Sequence, residues 1–263
     1  MNIQRQQNGP FSRHFRVIRL EKSLELHYPI GVMQFLVVCM RRNNSRREYF
    51  LLSMKILGID TVTHACSVAL SGVDDSIIER YKVEPKGHSE SLLKMIEALL
   101  DDVAIRIEDL EVVAVDTGPG SFTGIRIGVA AAQGIALALK VPIVGISSLE
   151  VLAEGVDSQI NAVLPAIDAR MGELFWGRLS RNSGSVSGWV WRNQPTISRP
   201  SLMPTLEAKE IGVGSGWDEY SESMSVSPKS EIQFGIFPRA RSVATIAERV
   251  IASGESNYPV VYP

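Results

Sequence analysis

The sequence predicts an α/β protein built on a mixed sheet covered by helices, and three observations predict it. Three short apolar runs follow one another closely from Met54; the apolar period then lengthens to helical spacing; and from there strand-like and helix-like segments alternate. Consecutive strands joined by polar turns favour an antiparallel meander, whereas strands separated by helices favour parallel addition, so the sheet is expected to contain both kinds of pairing.

The first strand is predicted over 56–60 (Ile-Leu-Gly-Ile-Asp), the second over 65–70 and the third over 77–83, with Gly72 and Asp74-Asp75 marking a turn. Leu92, Leu93, Met95, Ile96, Leu99, Leu100 and Val103 then recur at helical spacing, with Ser89 and Ser91 as candidate caps. Residues 111–116 read as a strand, 123–139 as a helix and 141–146 as a further buried strand. The order βββαβαβ is that of a ribonuclease-H-like lobe, which we assign to residues 54–150. Residues 151–263 are poorer in pattern. Strands are expected over 160–167 and 173–179, joined by the turn Asp168-Ala-Arg-Met-Gly172, with a third over 189–192, short ones near Ile211 and over 232–237, and a helix over 243–251. This reads as a second, reduced lobe that begins with the same meander.

A chain of 263 residues, 45% hydrophobic and 21% charged with net charge −2, can bury a core, which excludes disordered, collagenous and disulfide-scaffold classes. Its two cysteines, Cys39 and Cys66, are too few for a framework of bridges and point to a reducing, cytoplasmic location. Charge is unevenly placed. Residues 1–53 carry nine Lys and Arg against three Glu, leaving 18 basic and 26 acidic residues from Met54 on. The apolar run 28–40 falls short of the roughly 20 residues that span a bilayer, and Arg41, Arg42, Arg46 and Arg47 follow it where a cleavage site would need small residues. We expect this leader to be a disordered extension from a misplaced start, with Met54 the working one, and expect no membrane association. The acidic body opposes autonomous binding to a polyanion.

Two constellations could carry chemistry. Asp60, Thr61 and Thr63 place an acid and two hydroxyls at a strand end, able to position a phosphate or a water, or else to bond their own backbone in a turn. The second is the run Thr117-Gly-Pro-Gly-Ser-Phe-Thr-Gly-Ile-Arg-Ile-Gly128. In it Gly118, Gly120, Ser121, Thr123 and Gly124 lead from a strand end into a helix, an arrangement suited to an anion or, alternatively, to close packing. The run lacks the Gly-Lys-Ser/Thr of a Walker loop, misses the dinucleotide spacing and contains no nucleophile elbow. The helix behind it is rich in small residues (Gly124, Gly128, Ala131, Ala132, Gly134, Ala136, Ala138), and each interior Gly costs about 1 kcal/mol relative to Ala, so close contact with the sheet or with another helix must compensate. The apolar arc of the 92–103 helix covers roughly 160°, wider than one core face needs, which points to a partner. Only His64 and His88 lie in the body, with no metal-ligand spacing, so no metal is assigned to this chain. Trp176, Trp189, Trp191 and Trp217 read as packing residues rather than base-stacking platforms.

Three segments together closely resemble the TsaB family of bacterial tRNA threonylcarbamoyladenosine biosynthesis proteins: residues 54–70, residues 118–128 with Ala132-Gln-Gly134, and Ala166-Ile-Asp-Ala-Arg-Met-Gly-Glu173. The resemblance implies an actin-like ATPase fold of two ribonuclease-H-like lobes, a start at Met54, and a non-catalytic accessory role. The expected partner is TsaD, the related transferase that carries the metal-binding histidines and delivers a threonylcarbamoyl group to tRNA. It also implies a heterodimer with TsaD through the first-lobe helices, recruitment of the ATPase TsaE, tRNA reached only through the complex, a homodimer when alone, and ATP or ADP with a divalent metal in the complex but no cofactor of this chain's own. The interface is expected at His88, Leu92, Leu93, Met95, Ile96, Leu99, Leu100, Gly128, Ala131 and Ala132. The ending Pro259-Val-Val-Tyr-Pro263 departs from the family's usual aromatic-Leu-Arg tail, and the leader has no counterpart in it. The competing readings are a nucleotide hydrolase or phosphotransferase using Asp60 and the glycine loop and, last, a metalloprotease.

Overall fold

The computed structural model describes residues 15–19, 37–43, 46–51, 54–73, 76–84, 87–253 and 260–261, in two units, 1–53 and 54–263. In the first unit, strands β1 (Phe15–Arg19), β2 (Val37–Asn43) and β3 (Arg46–Leu51) form an antiparallel sheet in that order.

The second unit opens with the predicted meander, β4 (Ile56–Asp60), β5 (Ala65–Val73) and β6 (Ser76–Val83), followed by α1 (His88–Asp102), β7 (Val112–Asp116), α2 (Phe122–Leu139) and β8 (Ile143–Ile146). Strand β7 joins β4 in parallel and β8 joins β7 in parallel, while β5 and β6 add antiparallel on the other side. The turn at Asp74-Asp75 lies outside the described residues. Period-two alternation divides the strands between two cores. Leu57, Ile59, Val113 and Val115 pack under α1 and α2, and Ile56, Val112 and Ala114 pack under the last helix. Helix α1 starts earlier than its serines suggested: Gly87, with φ 103°, occupies the cap position, and Ser89 and Ser91 lie inside the helix.

Next come α3 (Ser148–Glu154), β9 (Ala162–Arg170), β10 (Glu173–Trp176), β11 (Leu179–Arg181), β12 (Trp189–Trp191), β13 (Thr196–Ser198), β14 (Ile211–Val213), α4 (Ser215–Tyr220), β15 (Glu231–Gln233), α5 (Ala240–Ser253) and β16 (Val260–Val261). Strands β10 and β11, expected as one strand, are interrupted at Gly177-Arg178 yet keep one register against β9, with Trp176 opposite Ala166 and Leu179 opposite Val163. The interruption has a purpose. A side chain at 177 would meet the Trp191 ring, and Arg178 bonds Glu207, Glu210 and the Thr205 carbonyl. Strands β14 and β15 then add in parallel beside β9, so the second sheet repeats the strand order of the first.

Two helices of fewer than eight residues, α3 and α4, escaped the periodicity reading because they are too short to establish a period. They cover opposite sides of the second sheet: α3 supplies Leu149 and Leu152 to one core, and Trp217 of α4 fills the other, fully buried, its indole N–H donating to the Leu164 carbonyl at 2.7 Å. Trp189 is also buried and donates to Glu154. Helix α5 departs from the division at residue 150. It packs on the first sheet, where a Cβ at Gly58 would meet the Ala240 carbonyl at 2.6 Å, and its Ala240 N–H is capped by the Ser67 hydroxyl. Val243, Ile246 and Val250 are the apolar residues that hold it there. Strand β16 pairs with the edge of the first sheet at β8.

Candidate functional site

The ends of β4 and β7 lie side by side, since Ile59 pairs with Val115, and each strand ends in an aspartate that is almost completely buried. Asp60 Oδ1 accepts from the Val62 N–H at 3.2 Å. Asp116 Oδ1 accepts from the Gly118 N–H at 2.9 Å and from the Ser148 hydroxyl at 2.5 Å. Burial, reinforced by the neighbouring Asp116, holds Asp60 well above the usual carboxylate range, and burial pushes Asp116 up to about 6 against the lowering effect of Ser148 and Gly118. Asp116 and Ser148 escaped the sequence reading. A second strand ending in Asp before Thr117-Gly118 was the signal available.

The glycine loop folds onto the Asp60–Thr63 turn. Ser121 donates its N–H to the Val62 carbonyl at 2.7 Å, Thr61 donates its hydroxyl to the Gly124 carbonyl at 2.7 Å, and Ser121 Oγ caps the Gly124 N–H. A Cβ at Gly120 would meet the Val62 carbonyl at 2.5 Å, one at Gly124 the Thr61 carbonyl at 2.0 Å, and one at Gly128 the Thr61 hydroxyl at 2.6 Å. The structure therefore does bring Asp60, Thr61, Gly118, Gly120, Ser121 and Gly124 together, but into contact with one another. The N–H groups of Gly118, Ser121 and Gly124 donate to the chain's own oxygens. Thr63 Oγ1 accepts from the Ala65 N–H, and Thr123 is exposed at the helix start. Among the described residues no group of three or more His, Cys, Asp or Glu is placed to hold a metal.

The hairpin tip of the second sheet meets this region: Arg170 Nη2 lies 3.4 Å from His64 Nε2. Arg170, Met171 and Gly172 all have positive φ, and the Met171 side chain is fully exposed.

The helical face expected to meet a partner divides differently from the arc read in the sequence. Leu92, Ile96, Leu99 and Leu100 are buried in the chain's own core, as are His88, Gly128 and Ala132, because α1 and α2 both lie on the sheet and turn these residues inward. Met95 and Ala131 are half-buried, and Leu93 points outward, 60% exposed. Helix α2 carries two stripes of small residues. Gly124, Gly128, Ala132 and Ala136 face inward, while Ala130, Gly134 and Ala138 face outward beside Leu137 and Phe122, each 68% exposed. Arg126 stacks its guanidinium on the Phe122 ring, 3.7 Å from the centroid. By length and composition α2 could cross a bilayer, but its inward stripe packs on the sheet.

Similarity to known proteins identifies the family. The TsaD family, tRNA N6-adenosine threonylcarbamoyltransferase, matches residues 82–187. The tRNA threonylcarbamoyladenosine biosynthesis protein TsaB of Escherichia coli K12 is 34% identical over 213 residues, covering 77% of this chain and 90% of that one. The protein of the same description from Bacillus subtilis is 37% identical over 131 residues, 50% of this chain and 57% of its own length. Among solved structures, YeaZ from Pseudomonas aeruginosa superposes with a TM-score of 0.72 at 31% identity, covering 80% of this chain and 95% of that one. With a relative of that description 34% identical over 90% of its own length and 77% of this chain, the chain belongs to the TsaB family of tRNA threonylcarbamoyladenosine biosynthesis proteins.

Proposed function

We propose that this chain is the non-catalytic partner subunit in threonylcarbamoyladenosine formation on tRNA, binding the transferase TsaD and orienting it. The observation that carries this reading is membership of the TsaB family together with the outward face of α1 and α2. There Leu93, Phe122 and Leu137 are exposed beside the small residues Ala130, Gly134 and Ala138. Small residues let a helix from a partner approach closely while the larger apolar ones supply buried area, so two helices from each subunit pack as a bundle. The contact residues in this proposal are Leu93, Met95 and Ala131 from the original set, with Phe122, Arg126, Ala130, Gly134 and Leu137 added.

The strand order common to both sheets supports an actin-like ATPase fold with residues 54–150 and 151–263 as its lobes, α5 returning to the first. TsaE, tRNA, ATP or ADP and a divalent metal enter through the complex, in the cytoplasm, and the same face accommodates a second copy of the chain when TsaD is absent. Cells depleted of this protein should lose threonylcarbamoyladenosine and recover it on complementation; unchanged levels after depletion would overturn the proposal. Calorimetry with ATP and ADP on the isolated chain should give no tight binding, since the Gly118, Ser121 and Gly124 N–H groups already serve internal oxygens.

A further inference from the structure

We propose that Asp60 and Asp116 hold one proton between them, and that this shared proton fastens the end of β4 to the end of β7 beneath the turn and loop that seat α2. The geometry leaves little alternative. Each carboxyl is buried with its Oδ1 occupied by the donors already named, while Asp60 Oδ2 and Asp116 Oδ2 receive no donor from the other described residues. Because Ile59 pairs with Val115, the next residue on each strand, Asp60 and Asp116, sits at adjoining strand ends in the same buried region. Two carboxylates in contact and out of water cannot both be ionised. One proton removes a charge and supplies the missing donor at the same time.

The surroundings offer no counter-charge. Glu79 and Tyr81 of β6 and Cys66 of β5 are the nearest ionisable groups on the neighbouring strands. Arg239, just before α5, is paired with Glu79, whose Oε1 also accepts the Arg241 N–H. Among the described residues no Lys, Arg or His forms an ion pair with Asp60 or Asp116. A divalent cation is the other way to neutralise two acids, but among the described residues no third acid or imidazole completes a metal-holding group with the pair, and both carboxyls are buried away from the water such a cation retains.

The joint is central to the first sheet. Val62, whose N–H rests on Asp60, accepts the Ser121 N–H through its carbonyl, and Gly118, whose N–H rests on Asp116, accepts the Ser148 N–H through its own. The proton thus ties the start of α2 and the start of α3 to the strand ends.

Both carboxyls titrate higher in the folded chain than in the unfolded one, so the folded state binds the extra proton. Stability attributable to the pair is complete at acid pH and declines as pH rises from the ordinary carboxylate range through the raised values. Asp60→Asn replaces the proton by a permanent donor, keeping Oδ1 for Val62 and turning its amide N–H toward Asp116. In the full-length protein carrying 13C-labelled aspartate, infrared spectra at pH 7 should contain a protonated-carboxyl band that disappears in Asp60→Asn and in Asp116→Asn. Urea midpoints measured from pH 5 to 8.5 should keep falling across the range for the wild type, whereas for Asp60→Asn they should fall only until Asp116, raised to about 6 by burial, has ionised, and stay flat above that. Absence of the band in the wild type at pH 7 would overturn the proposal, even if the variants failed to fold. So would Mg2+ or Mn2+ raising the wild-type midpoint without raising that of Asp60→Asn.

Discussion

The two small-residue stripes of α2 make opposite predictions for the same substitution. At Gly134 an added Cβ meets nothing within 4 Å, so Gly134→Ala gains the intrinsic helix preference of alanine, about 0.8–1 kcal/mol, without a clash. At Gly124 the same gain is opposed by a Cβ placed 2.0 Å from the Thr61 carbonyl, where ordinary contact begins at 3.4 Å. The turn at 60–63 would have to withdraw by more than an ångström. Overpacking of this kind costs roughly 1–3 kcal/mol, and losing the Thr61 hydroxyl bond to the Gly124 carbonyl costs about 1 kcal/mol more. The net expectation is a gain of about 1 kcal/mol for Gly134→Ala and a loss of about 2 kcal/mol for Gly124→Ala. Urea unfolding of the full-length protein, followed by circular dichroism at one pH, separates them. Midpoints moving in the same direction for both variants would refute the assignment of inward and outward faces.

Other expectations follow from the same burial pattern. Leu93→Glu and Leu137→Glu should leave the unfolding midpoint within experimental error while abolishing co-purification with TsaD; retained pairing by the double variant would displace the proposed contact from this face. Ile96→Ala removes a side chain that is 3% exposed and should cost about 3 kcal/mol, a stability effect that unfolding of the isolated chain registers without any partner. Cys66 is buried, and burial, followed by the nearby Glu84 and Asp60, pushes its thiol up to about 12. A thiol reagent at pH 8 should therefore leave the native Cys66 untouched and modify it only in denaturant, as mass mapping of that residue would register. Modification at a rate independent of denaturant would contradict that burial.

Period and punctuation carried most of the first sheet. Strand 56–60, the meander after it and the helix ending at Leu139 are each legible because an apolar repeat runs long enough to distinguish two residues per period from 3.6, and their ends differ from the observed ones by a few residues. Where repeats were short, the reading lapsed: α3 and α4 have too few turns to declare themselves, and the interruption at Gly177-Arg178 depends on Trp191 and Glu210, far away along the chain. The glycine loop was found correctly as a place where backbone must come close to something, but glycine reports only the closeness. The neighbours the fold supplies are the Thr61 and Val62 carbonyls, which only the tertiary structure could identify.

The sequence by itself determined the succession of strands and helices around the first sheet, the family, and the presence of more apolar helix surface than one core face requires, because these depend on periodicity and on motifs local to the chain. Tertiary structure alone decided which residues of that surface face inward. It carried α5 back onto the first sheet and set Asp60 against Asp116. Those outcomes depend on which side chains meet across tens of residues, where register and burial act and sequence spacing carries no information.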